Sequence, residues 1–255
     1  MKNISMQEIS INSESFEGGF SDNYKCKFNN EEYMFKKYEY PDQMISKFFI
    51  DKMDEISKLS SILPYVPRYW VEIGNEKIGY LTKIHDGKDL GLSTNIGEIA
   101  VLLKEAKEQL ILMHDIGLIH GDIHYCNIMY SDESTDFIDY DNSSYLNFNP
   151  DATKYSLNAF NFAKTFGISK ELDVFLFNKM TFELLNDLGS NKEVEKNIRD
   201  KEYGIFTDKE SKKICRALIL EGNPSTEFLI DSPSVKKLVR TCLLYTSPSP
   251  RDPKT

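Results

Sequence analysis

Two aspartates and an asparagine near the middle of the chain have types and spacings that suit catalysis. Asp122 and Asn127 are five residues apart, and Asp139 follows Asn127 after twelve more. A carboxylate can accept a proton or bind a hard divalent cation, and an amide oxygen is a further ligand that magnesium accepts. The pattern therefore predicts a base, Asp122, and two magnesium ligands, Asn127 and Asp139. Such a set suits the transfer of a phosphoryl group to a hydroxyl.

The flanks of these residues argue against a merely solvated polar hairpin. Apolar pairs surround the polar positions, at Leu118-Ile119, Ile128-Met129 and Phe137-Ile138. A solvated hairpin leaves these pairs unexplained. A zinc site at His120, His124 and Cys126 is a second alternative, but its spacing matches no common zinc pattern.

The loop from His120 reads His-Gly-Asp-Ile-His-Tyr-Cys-Asn, and Phe-Ile-Asp follows it. This pattern resembles the catalytic loop and metal-binding aspartate of the protein-kinase-like superfamily. The His-Gly-Asp form is that of aminoglycoside, choline and related small-molecule phosphotransferases and of atypical kinases, with Gly121 in place of the arginine of regulated protein kinases. The resemblance implies that Asp122 accepts the proton of the acceptor hydroxyl, while Asn127 and Asp139 hold magnesium.

The first part of the chain has candidates for the nucleotide-binding elements of that family. Short alternating segments from Gln7 to Tyr38, broken by turn residues, predict an antiparallel sheet. Gly18, Gly19 and Phe20 lie between the first two strand candidates, where a glycine-rich loop would cover the phosphates. A glycine hairpin turn explains them equally well.

A lysine on the third strand candidate is expected to bind the phosphates. Lys36 follows the apolar residues Tyr33-Met34-Phe35, as the lysine does in the Val-Ala-Ile-Lys form of the family. Alternation along a strand places Met34 and Lys36 on one face and Lys37 on the other. Two lysines on a solvated strand edge are the alternative.

A helical pattern begins at Pro41, because proline suits the first turn of a helix. The residues that recur at three- and four-residue steps along this pattern are Met44, Ile45, Phe48, Phe49, Lys52 and Ile56. Glu55 lies nineteen residues after Lys36, the spacing at which family members place the glutamate that pairs with this lysine. Asp54 is the competing residue.

A domain boundary is predicted after the fifth strand candidate. Two strands complete a five-stranded small lobe, at 68–73 and 77–83. Lys83 and Ile84 then fall in the hinge, where backbone groups would bind adenine. We expect an N-lobe at residues 1–83 and a mainly helical C-lobe at residues 84–241.

The predicted C-lobe begins with a long helix. Asn95 resembles its cap, and an apolar face extends up to Gly117. That face comprises Ile99, Leu102, Leu103, Ala106, Leu110 and Met113. Another helix is predicted to end at Gly189, and further helical patterns occupy 194–199 and 211–220. The long helix is expected to lead directly into the catalytic loop.

The last residues differ in kind from the rest of the chain. Cys242–Asp252 resembles the translation of a transposase sequencing adapter. We therefore interpret 242–255 as a non-native tail and expect the native C-terminus to be truncated. A proline- and serine-rich disordered tail is the alternative.

Composition excludes several classes of protein. The chain has 255 residues, 40% of them hydrophobic, as is ordinary for a globular protein. A net charge of -9 argues against nucleic acid or an anionic membrane as partner. The four cysteines lack paired spacing, no apolar run is long enough to cross a bilayer, and the start lacks a signal-peptide core. We expect a cytoplasmic protein.

Together these features predict an α+β, two-lobed protein-kinase-like fold with a small antiparallel-sheet N-lobe and a mainly helical C-lobe. The expected activity is ATP- and magnesium-dependent transfer of the γ-phosphoryl group to an unidentified hydroxyl acceptor. Asp122 would position the acceptor, Lys36 would bind the phosphates and Glu55 would orient Lys36. Gly121 and the short segment after Asp139 favour a small-molecule acceptor. The alternatives are an atypical, activation-loop-independent serine/threonine protein kinase and a pseudokinase that binds nucleotide without turnover.

Overall fold

Two units make up the α+β chain, and each has its own buried core. The computed structural model describes residues 1–17, 21–93, 95–149, 157–219 and 224–246. Unit 1 comprises Met1–Gly87 and Phe137–Pro150, and unit 2 comprises Lys88–Asp136 and Asp151–Thr255. The first division lies four residues beyond the predicted boundary, and the segment that begins at Phe137 belongs with unit 1.

A six-stranded mixed sheet forms the centre of unit 1. Its strands are β1 (Lys2–Ser5), β2 (Ser10–Glu17), β3 (Ser21–Phe28), β4 (Glu31–Tyr38), β5 (Tyr69–Ile73) and β6 (Glu76–Lys83), in the order β1-β5-β6-β4-β3-β2. Only β1 runs parallel to its neighbour, β5. The prediction of five antiparallel strands is wrong at the β1 edge, where a sixth strand pairs in parallel with β5. Ile4 of β1 lies opposite Val71 and is buried in the core, which explains why this segment joins the sheet.

The two faces of β4 have different surroundings, because side chains alternate along a strand. Tyr33 and Phe35 belong to the apolar core on one face. Lys36 and Tyr38 project to the other, and Lys36 is directly opposite Tyr80 of β6. Directly opposed residues of antiparallel strands share a face. This register therefore places the Lys36 and Tyr80 side chains side by side.

The helix predicted from Pro41 is interrupted. Two helices take its place, α1 (Pro41–Met44) and α2 (Lys47–Ser57). Ser46 lies between them in an extended conformation, and its Oγ accepts a hydrogen bond from the Phe49 amide at 3.2 Å. The prediction missed this break because serine at an N-cap starts a new helix without disturbing the apolar spacing.

Helix α2 packs on the Lys36 face of the sheet. It buries Phe49, Lys52, Met53 and Ile56. The Phe49 ring makes edge contacts with Tyr38 and Trp70, at centroid distances of 5.9 and 6.2 Å. Trp70 Nε1 donates a hydrogen bond to Asp54 at 2.9 Å. These contacts anchor α2 to β4 and β5.

Unit 2 is mainly helical. Its helices are α3 (Ile96–Asp115), α4 (Leu157–Phe166), α5 (Lys170–Leu185), α6 (Asn191–Arg199), α7 (Lys209–Ala217) and α8 (Pro233–Thr246). Its short strands are β7 (Lys88–Asp89), β8 (Leu118–Ile119), β9 (Ile128–Tyr130) and β10 (Thr135–Phe137), of which β10, β9 and β7 form one sheet in that order. No helix in the described parts of the chain combines the length and apolar composition needed to cross a membrane.

The prediction for α3 is confirmed. Asn95 Oδ1 accepts hydrogen bonds from the amides of Gly97 and Glu98 at 2.9 and 3.2 Å, which satisfies two otherwise unpaired donors at the helix start. All six residues of the predicted apolar face are buried. The helix contacts α5 and α8 and forms the centre of the unit 2 core.

The predicted end of α5 at Gly189 is wrong by four residues. The helix ends at Leu185 because Asn186 caps it and Asp187 adopts a left-handed φ of 52°. Helix α8 extends to Thr246, so the backbone of the first five residues of the supposed tail is helical. The remainder of that tail lies outside the described residues.

Asp208 joins the start of α7 to the start of α8. Its carboxylate accepts hydrogen bonds from the amide and hydroxyl of Ser211 and from the amide and hydroxyl of Ser234. Burial by itself would raise the pKa of Asp208, but these four donors outweigh it and hold the pKa well below its usual value.

Asp208→Ala should lower the free energy of unfolding by about 1–2 kcal/mol at pH 7, the range expected for loss of an N-cap. Because the folded pKa is depressed, this stabilisation is complete above the unfolded pKa of about 4 and declines as the pH falls below it. Denaturant unfolding of wild type and variant at pH 7 and pH 3 should therefore show a smaller difference at pH 3. Glu202→Ala, at an exposed position, is the control, and an equal loss at both pH values would contradict the prediction.

Candidate functional site

The lysine and the second aspartate of the predicted site are in direct contact within unit 1. Lys36 Nζ lies 2.7 Å from Oδ1 of Asp139, although 103 residues separate them along the chain. The same ammonium lies 2.9 Å from Oδ2 of Asp141. The Lys36 side chain is 13% exposed, whereas Lys37 is exposed at the sheet surface. One ammonium is therefore held between two carboxylates.

The close approach of two strands fixes the backbone at Lys36. A Cβ atom at Gly79 of β6 would lie 2.0 Å from the carbonyl oxygen of Lys36, too close for any side chain. Glycine at this position lets β6 pass directly beside β4. The Lys36 side chain thus projects from a place where β4 and β6 are in close backbone contact.

Asp139 has an unusual backbone conformation. Its φ is 60°, in the left-handed region that residues other than glycine rarely adopt. Such conformations concentrate at functional sites, where the surrounding structure holds them in place. The Asp139 side chain is 35% exposed, and Lys36 is its only hydrogen-bond partner in the described part of the chain. Oxygen remains available on Asp139 for a ligand.

Asp141 was missed by sequence analysis, although it lies in the same Phe-Ile-Asp-Tyr-Asp segment. The hydroxyls of Tyr38 and Tyr80 both donate to its carboxylate. Lys52 of α2 donates to its main-chain carbonyl oxygen. Asp141 is therefore held by two strands and a helix, as well as by its ion pair with Lys36.

The charges of this cluster stabilise one another. Burial alone would lower the pKa of Lys36 and raise that of Asp141, because desolvation disfavours the charged forms. Their mutual attraction outweighs burial, so the pKa of Lys36 is raised and that of Asp141 is lowered. Burial and the Asp141 charge raise the pKa values of Tyr38 and Tyr80. At neutral pH both tyrosines are therefore protonated donors to an ionised carboxylate.

The predicted pair between Glu55 and Lys36 is not formed. Glu55 binds Lys58 at 2.5 Å, three residues further along α2, and its side chain is 32% exposed. The position of α2 that reaches the cluster is Lys52, which is 1% exposed. The prediction is wrong because the buried face of α2 presents a lysine, and the glutamate lies at the edge of that face.

In unit 2 the other two predicted residues lie on one loop between β8 and β9. Asn127 ends a short 3-10 turn, and its Nδ2 donates to the carbonyl oxygen of Asp122 at 2.9 Å. The Asp122 amide donates to Nδ1 of His120 at 3.3 Å. Among the described residues, no protein donor binds Oδ1 of Asn127, so this oxygen can serve as a ligand. The asparagine thus both braces the Asp122 backbone and offers an oxygen.

Asp173 of α5 holds the same loop through its backbone. Its two oxygens accept hydrogen bonds from the amides of His120 and Gly121, each at 2.8 Å. His114 Nε2 lies 2.9 Å from Oδ2. Gly121 has a φ of 78°, which favours glycine over any residue with a side chain. Sequence analysis missed Asp173, whose only signal is an acidic residue within an apolar stretch of helix.

The structure says less about the other residues that were predicted to bind the nucleotide. Gly18, Gly19 and Phe20 lie outside the described residues. Lys83 is the exposed last residue of β6, and Ile84 follows it with partial burial. Both belong to unit 1, although the predicted boundary placed Ile84 in the C-lobe, and their role in binding adenine stays a prediction.

The donor atoms suit magnesium better than zinc. The described residues contain no group of three or more histidine, cysteine, aspartate or glutamate side chains that could hold a metal ion. The zinc alternative at His120, His124 and Cys126 therefore has no structural support. Magnesium needs only one or two protein carboxylates when phosphates and water supply its other ligands. Asp139 in unit 1 and Asn127 in unit 2 each offer an oxygen of the kind that magnesium prefers.

Comparison with protein-family models and with curated proteins finds no match to this chain. The arrangement of its own side chains is therefore the evidence for function. Unit 1 offers an ammonium beside a partly exposed carboxylate, groups that suit a polyanion with a divalent cation. Unit 2 offers a carboxylate, Asp122, on a loop whose backbone is held by Asn127, His120 and Asp173.

Proposed function

We propose that the protein is a magnesium-dependent phosphotransferase that moves the γ-phosphoryl group of ATP to a hydroxyl acceptor. The contact between Lys36 and Asp139 at 2.7 Å supports this most strongly. A cation for phosphate and a carboxylate for metal were each predicted from a separate stretch of sequence, and a triphosphate requires both. The proposed fold is the two-lobed protein-kinase-like one, with unit 1 as N-lobe and unit 2 as C-lobe.

Each proposed role follows from the chemistry of the side chain. Lys36 binds phosphate oxygens and stabilises the negative charge that they carry. Asp139 and Asn127 would hold magnesium, which would neutralise charge on the transferring group. Asp122 orients the acceptor hydroxyl and accepts its proton.

The acceptor is proposed to be a small molecule. In a regulated protein kinase, a loop arginine pairs with a phosphorylated activation segment. Here that position is Gly121, in a left-handed conformation that disfavours an arginine. The absence of a guanidinium at this position favours an enzyme that is active without prior phosphorylation.

A transfer assay with γ-labelled ATP distinguishes the candidate functions. One reaction would contain a pool of small hydroxyl compounds and the other a pool of proteins, each with and without magnesium. We expect magnesium-dependent label in the small-molecule pool. Label in the protein pool alone would favour the protein-kinase alternative, and ATP binding without any transfer would favour the pseudokinase.

Asp139→Ala should remove the magnesium dependence of ATP binding. We expect calorimetry to show magnesium-dependent affinity reduced by about tenfold or more, the effect of losing an interaction with a charged group. Asp132→Ala, an exposed aspartate in the neighbouring turn, should bind as wild type does. Unchanged magnesium dependence in Asp139→Ala would remove Asp139 from the metal site.

A further inference from the structure

The two carboxylates that bind Lys36 differ in how firmly they are held. Asp139 is 35% exposed, and within the described residues only Lys36 binds its carboxylate. Asp141 is 15% exposed and also accepts hydrogen bonds from the hydroxyls of Tyr38 and Tyr80. A carboxylate with three partners from two strands keeps its position, whereas one with a single partner can move.

The two carboxylates also differ in the tasks open to them. Asp139 is the proposed metal ligand, so a bound cation would share its carboxylate with Lys36, which binds Oδ1. The Asp141 carboxylate binds Lys36, Tyr38 and Tyr80. These three partners occupy it, so it has no competing role as a metal ligand. An ammonium that must remain in place for the nucleotide therefore has one lasting counter-ion, Asp141.

The same residue links Lys36 to helix α2. Lys52 donates to the main-chain carbonyl oxygen of Asp141, and its ammonium also lies 5.2 Å from the centre of the Phe49 ring. Tyr38, which binds the Asp141 carboxylate, makes an edge contact with that ring. The position of α2 is thereby coupled to the position of Lys36 through Asp141, without any contribution from Glu55.

We propose that Asp141, held by Tyr38 and Tyr80 and tied to α2 by Lys52, is the residue that positions Lys36 for the nucleotide. It takes the role that the resemblance to protein kinases assigns to Glu55. This inference rests on the proposed phosphotransferase function. Asp141 is a positioning residue, since it acts through Lys36.

Nucleotide binding tests the inference without requiring turnover. Calorimetry with magnesium and ADP would compare wild type with Lys36→Met, Asp141→Asn and Glu55→Gln, and thermal unfolding would report folding. We expect Asp141→Asn to weaken binding by about tenfold, as loss of a hydrogen bond to a charged group would. Glu55→Gln should have a much smaller effect. The exposed control Asp51→Asn should bind as wild type does.

Two tyrosine variants test the inference if Asp141→Asn does not fold. Tyr38→Phe and Tyr80→Phe each remove one hydroxyl from the Asp141 carboxylate and keep the ring. Each should weaken ADP binding by about two- to fivefold, less than Asp141→Asn does, because each removes one donor to the carboxylate and keeps the ion pair between Asp141 and Lys36. Where turnover is measured, Asp141→Asn, Tyr38→Phe and Tyr80→Phe should each raise KM for ATP more than they lower kcat. Asp141→Glu should recover part of the ATP affinity that Asp141→Asn loses.

The outcomes separate the two proposals. If Lys36→Met abolishes binding while Asp141→Asn and both tyrosine variants bind as wild type does, Asp141 does not position Lys36, and the proposed function stands. A larger effect of Glu55→Gln than of Asp141→Asn would also overturn the inference. If wild type binds no nucleotide, or Lys36→Met binds equally well, the proposed function fails and the inference fails with it.

Discussion

Asp122→Asn should reduce phosphoryl transfer by about 10²- to 10⁴-fold, the contribution typical of a general base. Asparagine has nearly the same shape as aspartate and cannot accept a proton at neutral pH. The main-chain carbonyl that Asn127 binds is retained, and so is the amide that binds His120. The loop should therefore keep its conformation but lose the group that accepts the proton.

Nucleotide affinity separates this effect from general damage. Asp122 is proposed to act on the acceptor, so the Kd for magnesium and ATP should change less than about twofold. Steady-state turnover and calorimetry on the same preparation provide both values. Asp115→Asn, an exposed aspartate at the end of α3, should match wild type in both. Wild-type turnover by Asp122→Asn would show that this loop is not catalytic.

Much of the local structure could be predicted from apolar spacing. The N-cap at Asn95 and the buried face of α3 were identified because a cap residue followed by a regular repeat has one reasonable interpretation. Strand β4 was found by alternation along its own residues, Glu31–Tyr38. These features depend on residues close together in the chain, and such features are encoded locally.

The errors arose where distant residues decide the structure. Nothing near Lys2–Ser5 indicates that this segment will pair in parallel with β5, because the partner is more than sixty residues away. The partner of Lys36 was assigned to Glu55 by spacing, whereas the structure places Asp139 and Asp141 there. The actual partners lie more than a hundred residues further along the chain, so spacing within the first part of the chain could not identify them.

Asp173 illustrates a different limit of sequence analysis. The residue lies more than fifty positions after the loop that it holds, in a helix that is buried along most of its length. Hydrophobic periodicity treats it as an exception in a buried helix. Two of its partners are backbone amides, which carry no sequence signal, and the third is the His114 ring on another helix, so only the folded chain identifies its role.

Asp173→Ala should destabilise the protein strongly. The substitution leaves the buried amides of His120 and Gly121 and the ring of His114 without their acceptor. Each unsatisfied buried donor costs about 1–3 kcal/mol, so we expect a total on the order of 3–5 kcal/mol. Thermal unfolding should show a fall in Tm of about ten degrees. Lys170→Ala, exposed at the start of the same helix, should unfold as wild type does.

Hydrogen exchange identifies where the stability is lost. In wild type the amides of His120 and Gly121 should exchange slowly, because a buried carboxylate accepts both. In Asp173→Asn, which preserves volume and keeps one acceptor oxygen, at least one of the two amides should exchange faster, while the amides within α3 remain protected. Faster exchange of both regions together would indicate global destabilisation only. Unchanged protection at His120 and Gly121 would show that Asp173 does not hold the loop, and that Gly121 keeps its left-handed conformation for another reason.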